Sequence, residues 1–485
     1  MNNRLQRYST AVKVGLAAMM AGQLPAAGRA EATSWQEQHD QLVARLRGLE
    51  KTAADFGPAY EPVYRSALKW YEEWGGNPRH EVDDWMVSPE VYASELAGAL
   101  ERGRNYFAEN PGALLPLTFE QQRPSGKTVK ANYWLTLPAG FPEAGRTFPL
   151  VVGLHGSGWL GHKISFVRKS RKDTAAGRVF TVTPIDEAGP WQIDFLNAYL
   201  DELLRILPVD HDRIYVEGHS LGAMATWEWA LDNPERFAAI SPRSGRGEPF
   251  RASRLKHVPA WVIHGANDEV VPAGFADQMV TALQACDASV KYSLLPDVAH
   301  NMPDDLDEDQ VVDWYLQHTR SHGPAPTDPR DGLGLNGAGF SPWETVTLPA
   351  ASFWVSGPVS LADQGAAIKT VQTLFRKTQT LGEMVGTPVV EKLERKTNAL
   401  RLCLAVPKTL RAGAKVDATA VPRPAAHYVR FYFRGDTPAA LAHLARVTAE
   451  VEATGRHLAD ELWITPLTLW PETPTGIAEY QVEIK

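Results

Sequence analysis

The stretch VDHDRIYVEGHSLGAMATWEWALDNPERFAAIS, residues 209–241, holds a serine in the pattern Gly218-His219-Ser220-Leu221-Gly222. A serine hydroxyl becomes a useful nucleophile only when a general base takes its proton and a third group orients that base. Glycine on both sides, two positions away, suits a sharp strand-to-helix turn that lifts the hydroxyl above a sheet edge. The same turn brings the Leu221 N–H to a helix N-terminus, where it can face a developing oxyanion. Downstream, Asp268 in WVIHGANDEVVP and His300 in SLLPDVAHNMP each lie immediately beyond a stretch that reads as a strand. Serine, acid and histidine in this order, each at the C-terminal end of a successive strand, are where an open α/β sheet puts a site. The chemistry these residues could do is acyl transfer. His300 would take the Ser220 proton and return it to the leaving group, and Asp268 would hold the imidazole in the correct tautomer.

Other residues near these motifs carry weaker signals. The glycine-rich turn Leu154-His155-Gly156-Ser157-Gly158-Trp159 offers a second oxyanion donor, from the Ser157 or Gly158 N–H. Trp159 and Trp191 flank the expected pocket and are candidates for stacking on an aromatic acyl group or a sugar ring; with 15 tryptophans in the chain, plain packing is an equal alternative. His155 and His219 read as packing residues and His264 as a strand cap. The run Arg168-Lys169-Ser170-Arg171-Lys172 reads as solvated surface, with an anionic substrate as the alternative. Asp304, Asp305, Asp307, Glu308 and Asp309 fit no calcium loop and read as the acidic start of a helix running to Thr319. Zinc spacings, a Walker loop and a dinucleotide fingerprint are missing from the sequence, so neither a metal nor a cofactor is expected.

The elements that must position these residues alternate. FPLVVGLHG and RVFTVTP are continuous apolar runs typical of buried parallel strands, RIYVEGHS, VPAWVIHG and VKYSLLP read as further strands, and VKANYWLTLP alternates like a partly exposed one. Amphipathic helices over 194–207 and 276–285, and one through Trp229, fall between them. The fold class is therefore α/β, a doubly wound, mostly parallel sheet spanning 126–321. Residues 31–125 read as a helical accessory region, with one helix starting at Ser88-Pro89-Glu90 and ending at Asn110-Pro111-Gly112. Residues 322–345, rich in Gly, Pro and Asp, read as a linker. Over 346–485 a strand–helix–strand–strand unit occurs twice, which predicts a small pseudo-symmetric α+β domain.

The phrases LHGSG, VDHDRIYVEGHSLGAMATWEWALDNPERFAAISPRSG, HGANDEVVP and PDVAHNMP resemble the α/β-hydrolase superfamily, in the branch of secreted feruloyl and acetyl-xylan esterases and related peptidases. That resemblance implies a serine esterase acting on carbohydrate or hydroxycinnamoyl esters, with a peptidase or lipase using the same residues as the alternative. The branch usually places a second glycine after the nucleophile turn, where this chain has Ala223. The phrases RPAAHYVRFYFRGDTPAALAHLARVTAEVEATG, ADELWITPL and TGIAEYQVEIK resemble gyrase-inhibitor-like, SOUL-type effector-binding domains. In that family an acidic residue faces a cationic ligand in an aromatic pocket, which implies Glu461 and Trp463 for a small ligand here, although tyrosine is usual where Trp463 stands. A third alternative is therefore a non-catalytic sensor acting through this domain.

Composition bounds the partners. The 485 residues are 44% hydrophobic and 22% charged with a formal net charge of −8, which disfavours nucleic acid. Residues 1–30 carry Arg4, Arg7, an apolar stretch interrupted by Lys13, and the small-residue sites Gly28-x-Ala30 and Ala30-x-Ala32, the three parts of an export signal. The stretch is too short to span a membrane. Export to a periplasmic or extracellular setting is the expectation. Cys286 and Cys403, the two cysteines, fall in different expected domains and are not expected to pair.

Overall fold

A computed structural model describes residues 26–74, 86–87, 89–110, 114–122, 128–156, 167–168, 177–184, 191–302, 307–360, 364–379, 389–406, 419–435, 437–468 and 476–485. The stretch read as an export signal lies outside the described residues up to position 25.

The chain opens with helices α1 (Ala26–Gly48), α2 (Glu50–Ala54), α3 (Tyr60–Trp74), α4 (Pro89–Glu101) and α5 (Tyr106–Glu109), with the short strand β1 (Met86–Val87) before α4. Pro89 starts α4 as expected, but the helix stops at Glu101 rather than at Asn110, because Gly103 turns the chain at a φ of 66°. Strand β2 (Leu114–Gln122) follows and pairs along its length with β3 (Thr128–Thr136). The expected boundary at 125 is thus too late, since β2 belongs to the sheet that carries the site. The helical region is also no separate body: Leu46, Tyr64, Trp70 and Leu96 share one continuous core with Trp227 and Leu283.

Strands β4 (Phe148–Leu154), β5 (Val167–Arg168), β6 (Phe180–Pro184), β7 (Val209–His219), β8 (Ala239–Arg243), β9 (Ala260–Gly265) and β10 (Val290–Leu295) complete a ten-stranded sheet. Its order is β1-β5-β2-β3-β6-β4-β7-β8-β9-β10, and β6, β4, β7, β8, β9 and β10 run parallel. Helices α6 (Ile193–Ile206), α7 (Leu221–Asp232) and α8 (Gly274–Ala285) bury Phe195, Trp227 and Met279 against Leu150, Val152, Ile214 and Val216 on one face. Helix α9 (Glu308–Tyr315) lays Val311, Val312 and Tyr315 on Val151, Tyr215, Trp261 and Ile263 on the other. Neighbours along each strand point to opposite faces, so the apolar runs are explained by a sheet covered on both sides. Strand β8 was not expected, and α9 ends at Tyr315 instead of Thr319.

The segment read as a linker is held in place. Asp328 accepts from Arg251 Nη2 at 2.7 Å, Phe340 stacks on Phe433 at 4.3 Å, and strand β11 (Glu344–Leu348) starts inside the expected linker. The C-terminal domain has β12 (Ala351–Val359), α10 (Gln364–Gln379), β13 (Val389–Glu394) and β14 (Ala399–Ala405), then β15 (Ala420–Arg423). The unit recurs as β16 (Ala426–Arg434), α11 (Thr437–Glu452), β17 (Leu458–Pro466) and β18 (Ile477–Ile484). Its separate, antiparallel eight-stranded sheet runs β11-β16-β18-β17-β13-β14-β12-β15, so the two units meet at β17 and β13 in mirrored order.

Candidate active site

Strand β7 runs through buried Ile214, Tyr215 and Val216 to the sheet edge and ends at His219. Ser220 then takes φ 56° and ψ −117°, a conformation that non-glycine residues rarely adopt and that persists only when its surroundings enforce it. They do. The Ser220 N–H donates to the Arg243 carbonyl at 2.9 Å, and the Ser220 carbonyl accepts the first bond of α7 from Met224 at 3.1 Å. A Cβ at Gly218 would lie 2.4 Å from the backbone of Gly222, and one at Gly222 would lie 2.0 Å from the Leu154 carbonyl oxygen. The two glycines of the motif are therefore dictated by contact with backbone that cannot move aside. The Ala223 departure also has its reason: Gly245 stands against it, and a Cβ there would lie 2.4 Å from the Ala223 methyl.

Three side chains from separate loops converge. Ser220 Oγ lies 2.9 Å from His300 Nε2, and His300 Nδ1 lies 2.9 Å from Asp268 Oδ2. An ionised carboxylate can only accept, so Nδ1 carries the proton and the neutral ring's Nε2 accepts from the serine hydroxyl. Asp268 Oδ1 accepts from the amides of Val270 and Val271, both at 2.8 Å. Burial alone would raise this carboxyl; hydrogen bonds from His264, His300, Val271 and Val270 outweigh burial and hold it well below the usual carboxylate range. The loops after β9 and β10 brace one another, with Asn267 N–H donating to the Val298 carbonyl at 2.9 Å.

Two histidines read as passive turn out to touch this relay. His264, fully buried, is not a strand cap: its Nε2–H donates to the Val271 carbonyl at 2.8 Å and reaches Asp268 Oδ2 at 3.2 Å. His219 Nε2–H donates to the backbone carbonyl of His300 at 2.8 Å, which fixes the histidine loop to the nucleophile turn. Burial lowers the His219 pKa and favours the neutral ring this donation uses. Beneath the turn, the guanidinium of Arg243 bonds Glu217 at 2.9 Å and Glu308 at 2.6 Å. Glu308 thus does more than start α9, where Asp307 is the residue that caps the helix by accepting from Gln310 N–H at 3.0 Å. Strand β8 stands between β7 and β9, so the three functional strands are not all successive, and its last carbonyl is the one that holds Ser220.

Leu221 opens α7, so its N–H belongs to the first amides that a helix leaves without an intrahelical acceptor. Ser157, Gly158 and Trp159 lie outside the described residues. The chain leading into them passes over the nucleophile, since a Cβ on Gly156 would lie 3.1 Å from Ser220 Cβ. Trp191 is turned inward, 5% exposed, with its indole N–H donating to the His155 carbonyl at 3.1 Å and its ring 4.7 Å from the His155 ring. It packs the loop and presents no open face for stacking. Asp304 and Asp305 and the basic run after Arg168 also fall outside the described residues, and no group of three His, Cys, Asp or Glu among the described residues could hold a metal.

In the C-terminal domain, Glu461 pairs with Lys392 Nζ at 2.6 Å. Trp463 is buried against Phe353, and the Arg423 guanidinium lies 5.1–5.4 Å from the rings of Phe353, Tyr428 and Trp463. The place implied for a cationic ligand is filled by the chain's own cations.

Residues 186–309 match the model of a family described as phospholipase/carboxylesterase. Over 196 residues the chain is 24% identical to a bifunctional acetylxylan esterase/xylanase of Neocallimastix patriciarum, covering 38% of this chain and 27% of that protein. Over 225 residues it is 24% identical to an uncharacterized peptidase of Bacillus subtilis, covering 36% of this chain and 34% of that protein. The matched part thus spans about a third or less of these relatives' length. Among solved structures it is similar to a thermostable esterase at 23% identity and a TM-score of 0.35, covering 42% of this chain and 63% of that one. The family match over residues 186–309 and the order of the ten-stranded sheet fit the architecture of an α/β hydrolase.

Proposed function

We propose that this chain is an exported esterase that cleaves carboxylic esters through an acyl-enzyme, with Ser220 as nucleophile, His300 as base and Asp268 as orienting acid. The observation that carries the reading is the unbroken relay from Ser220 Oγ to His300 to Asp268, at 2.9 Å for each step. As Oγ attacks the ester carbonyl, its proton passes to His300 Nε2, and the imidazolium is stabilised by the buried, ionised Asp268. The oxyanion is met by the N–H of Leu221 and by that of Ser157 or Gly158. Collapse breaks the bond to the alcohol, which leaves with the proton from His300; water then repeats the sequence and frees the acid.

Carbohydrate or hydroxycinnamoyl esters are the favoured substrates, supported by the phrases shared with secreted esterases and by the similarity to an acetylxylan esterase/xylanase. The similarity to a peptidase keeps amide cleavage as the second reading. Turnover of p-nitrophenyl acetate, methyl ferulate and an aminoacyl anilide, measured beside Ser220→Ala, tests both. Ester turnover that Ser220→Ala lowers by about 10⁴-fold or more is expected. Activity confined to the anilide would favour the peptidase, and absence of serine-dependent turnover on all three would remove the enzyme reading.

A further inference from the structure

We propose that the C-terminal domain belongs to the catalytic machinery, because helix α10 clamps the loop that carries Asp268 and sets where its carboxylate points. The claim rests on the hydrolase reading above.

The loop between β9 and α8 is gripped at both ends. At the first, Gln372, only 9% exposed, donates from Nε2 to the carbonyl of Glu269, the residue directly after Asp268. At the second, Phe375 covers the first turn of α8. Its ring meets that of Phe275 edge to face at 5.4 Å, and a Cβ on Gly274 would lie 2.2 Å from Phe375 Cδ1. Arg376 adds an exposed pair to Glu269 at 3.9 Å. Between the two grips lie Val270 and Val271, whose amides are the bonds to Asp268 Oδ1, and Val271 also anchors His264. Glu269 and Val270 are exposed while Val271 and Ala273 are buried, so the outer tip of the loop is the part that depends on contacts from outside. Helix α10 is itself firmly seated: Leu374 and Phe375 belong to a core with Trp354, Leu402 and Leu404, and Phe275 of the hydrolase domain packs against that same core. The acid loop is thus held from within by its own carboxylate and from outside by a helix of another domain. Gln372 and Phe375 are positioning residues.

Full-chain variants test this. Gln372→Met keeps the bulk and removes the donor. Gly274→Ala puts a wedge under Phe375 from the hydrolase side, and Phe375→Ala removes the ring the wedge strikes. Two readouts are taken: exchange of the Val270 and Val271 amides by hydrogen–deuterium mass spectrometry, and kcat and KM on p-nitrophenyl acetate, normalised to serine titrated with a fluorophosphonate. Gln372→Met and Gly274→Ala are expected to speed exchange in the loop and to lower kcat about ten- to hundredfold at unchanged KM. Gly274→Ala combined with Phe375→Ala should recover most of the Gly274→Ala loss. Unchanged exchange, or faster exchange with wild-type kcat per titrated serine, overturns the proposal. Faster exchange in a wild-type background that has no Ser220-dependent turnover would uphold the clamp and reject the hydrolase reading instead.

Discussion

At the scale of single residues, the carboxylate of Asp268 carries the most demands. Oδ1 takes two backbone amides, and Oδ2 takes protons from His300 at 2.9 Å and His264 at 3.2 Å. All four partners present hydrogens, so only an acceptor on both oxygens satisfies them. In Asp268→Asn one end becomes an NH₂ group. Oδ1 can keep the amides, but the NH₂ then faces two ring N–H groups and forces His300 into the tautomer that points a proton at Ser220. The expected outcome is a fall in kcat of about 10³–10⁴-fold with KM nearly unchanged. His264 is held by its bond to the Val271 carbonyl and cannot yield its own proton, so a loss of stability should accompany the loss of rate, read as a lower Tm. A variant that keeps kcat within tenfold of wild type would show that the tautomer is not fixed by this carboxylate.

At the scale of elements, the turn at Ser220 is set by space. Gly222→Ala would drive a methyl to 2.0 Å from the Leu154 carbonyl oxygen and 2.8 Å from that of His155, both backbone. Overpacking of this kind costs about 3 kcal/mol, and here the yielding element would be the turn itself, so activity should fall with stability. Ala223→Gly, one position on, should cost only the helix propensity, about 1 kcal/mol, and keep kcat. Thermal denaturation beside initial rates separates the two outcomes. The turn was legible in the sequence because the steric demand falls on residues adjacent in the chain. Asp268 and His300 were legible because each lies in a loop just beyond a stretch that reads as a strand, VPAWVIHG and VKYSLLP. Strand β8 was not, since AISPR holds a proline and an arginine in five residues, and proline in a central strand argues against one. Pro242 is tolerated near the strand's end, and Arg243 is buried there because Glu217 and Glu308 meet it. Strand β2 escaped for a related reason: Pro116 interrupts it and only short stretches of its pattern are apolar. The roles of His264 and His219 depend on carbonyls brought close by folding, Val271 and His300, which no local pattern announces.

At the scale of the whole molecule, the question is what makes two sheets one body. Helix α10 is one joint and the strap over 322–345 is the other. Its glycines and prolines suggested a free tether, yet Asp328 is tied to a buried guanidinium: Arg251 is 1% exposed and bonds Glu248 at 3.1 Å, Asp232 at 2.6 Å and Asp328 at 2.7 Å. The sequence could not show this, because the partners of Arg251 lie as far away as position 328. Burial would raise the Asp328 carboxyl, but hydrogen bonds from Arg330 and Arg251 bring it down to about 2 from an ordinary 3.8. A depressed carboxylate stabilises the fold above its unfolded value and ceases to as pH falls through its folded one. Asp328→Asn should therefore cost about 1 kcal/mol at neutral pH, a partly exposed group being screened by solvent, and almost nothing near pH 2. Arg251→Met should cost more, about 3–5 kcal/mol, because it strands three carboxylates in a poorly hydrated site. Both variants should make the strap a target for limited proteolysis near position 328 at neutral pH, where wild type resists. If the strap is cut equally fast in wild type and variants, these ion pairs do not hold the domains together, and the contact through α10 must do so alone.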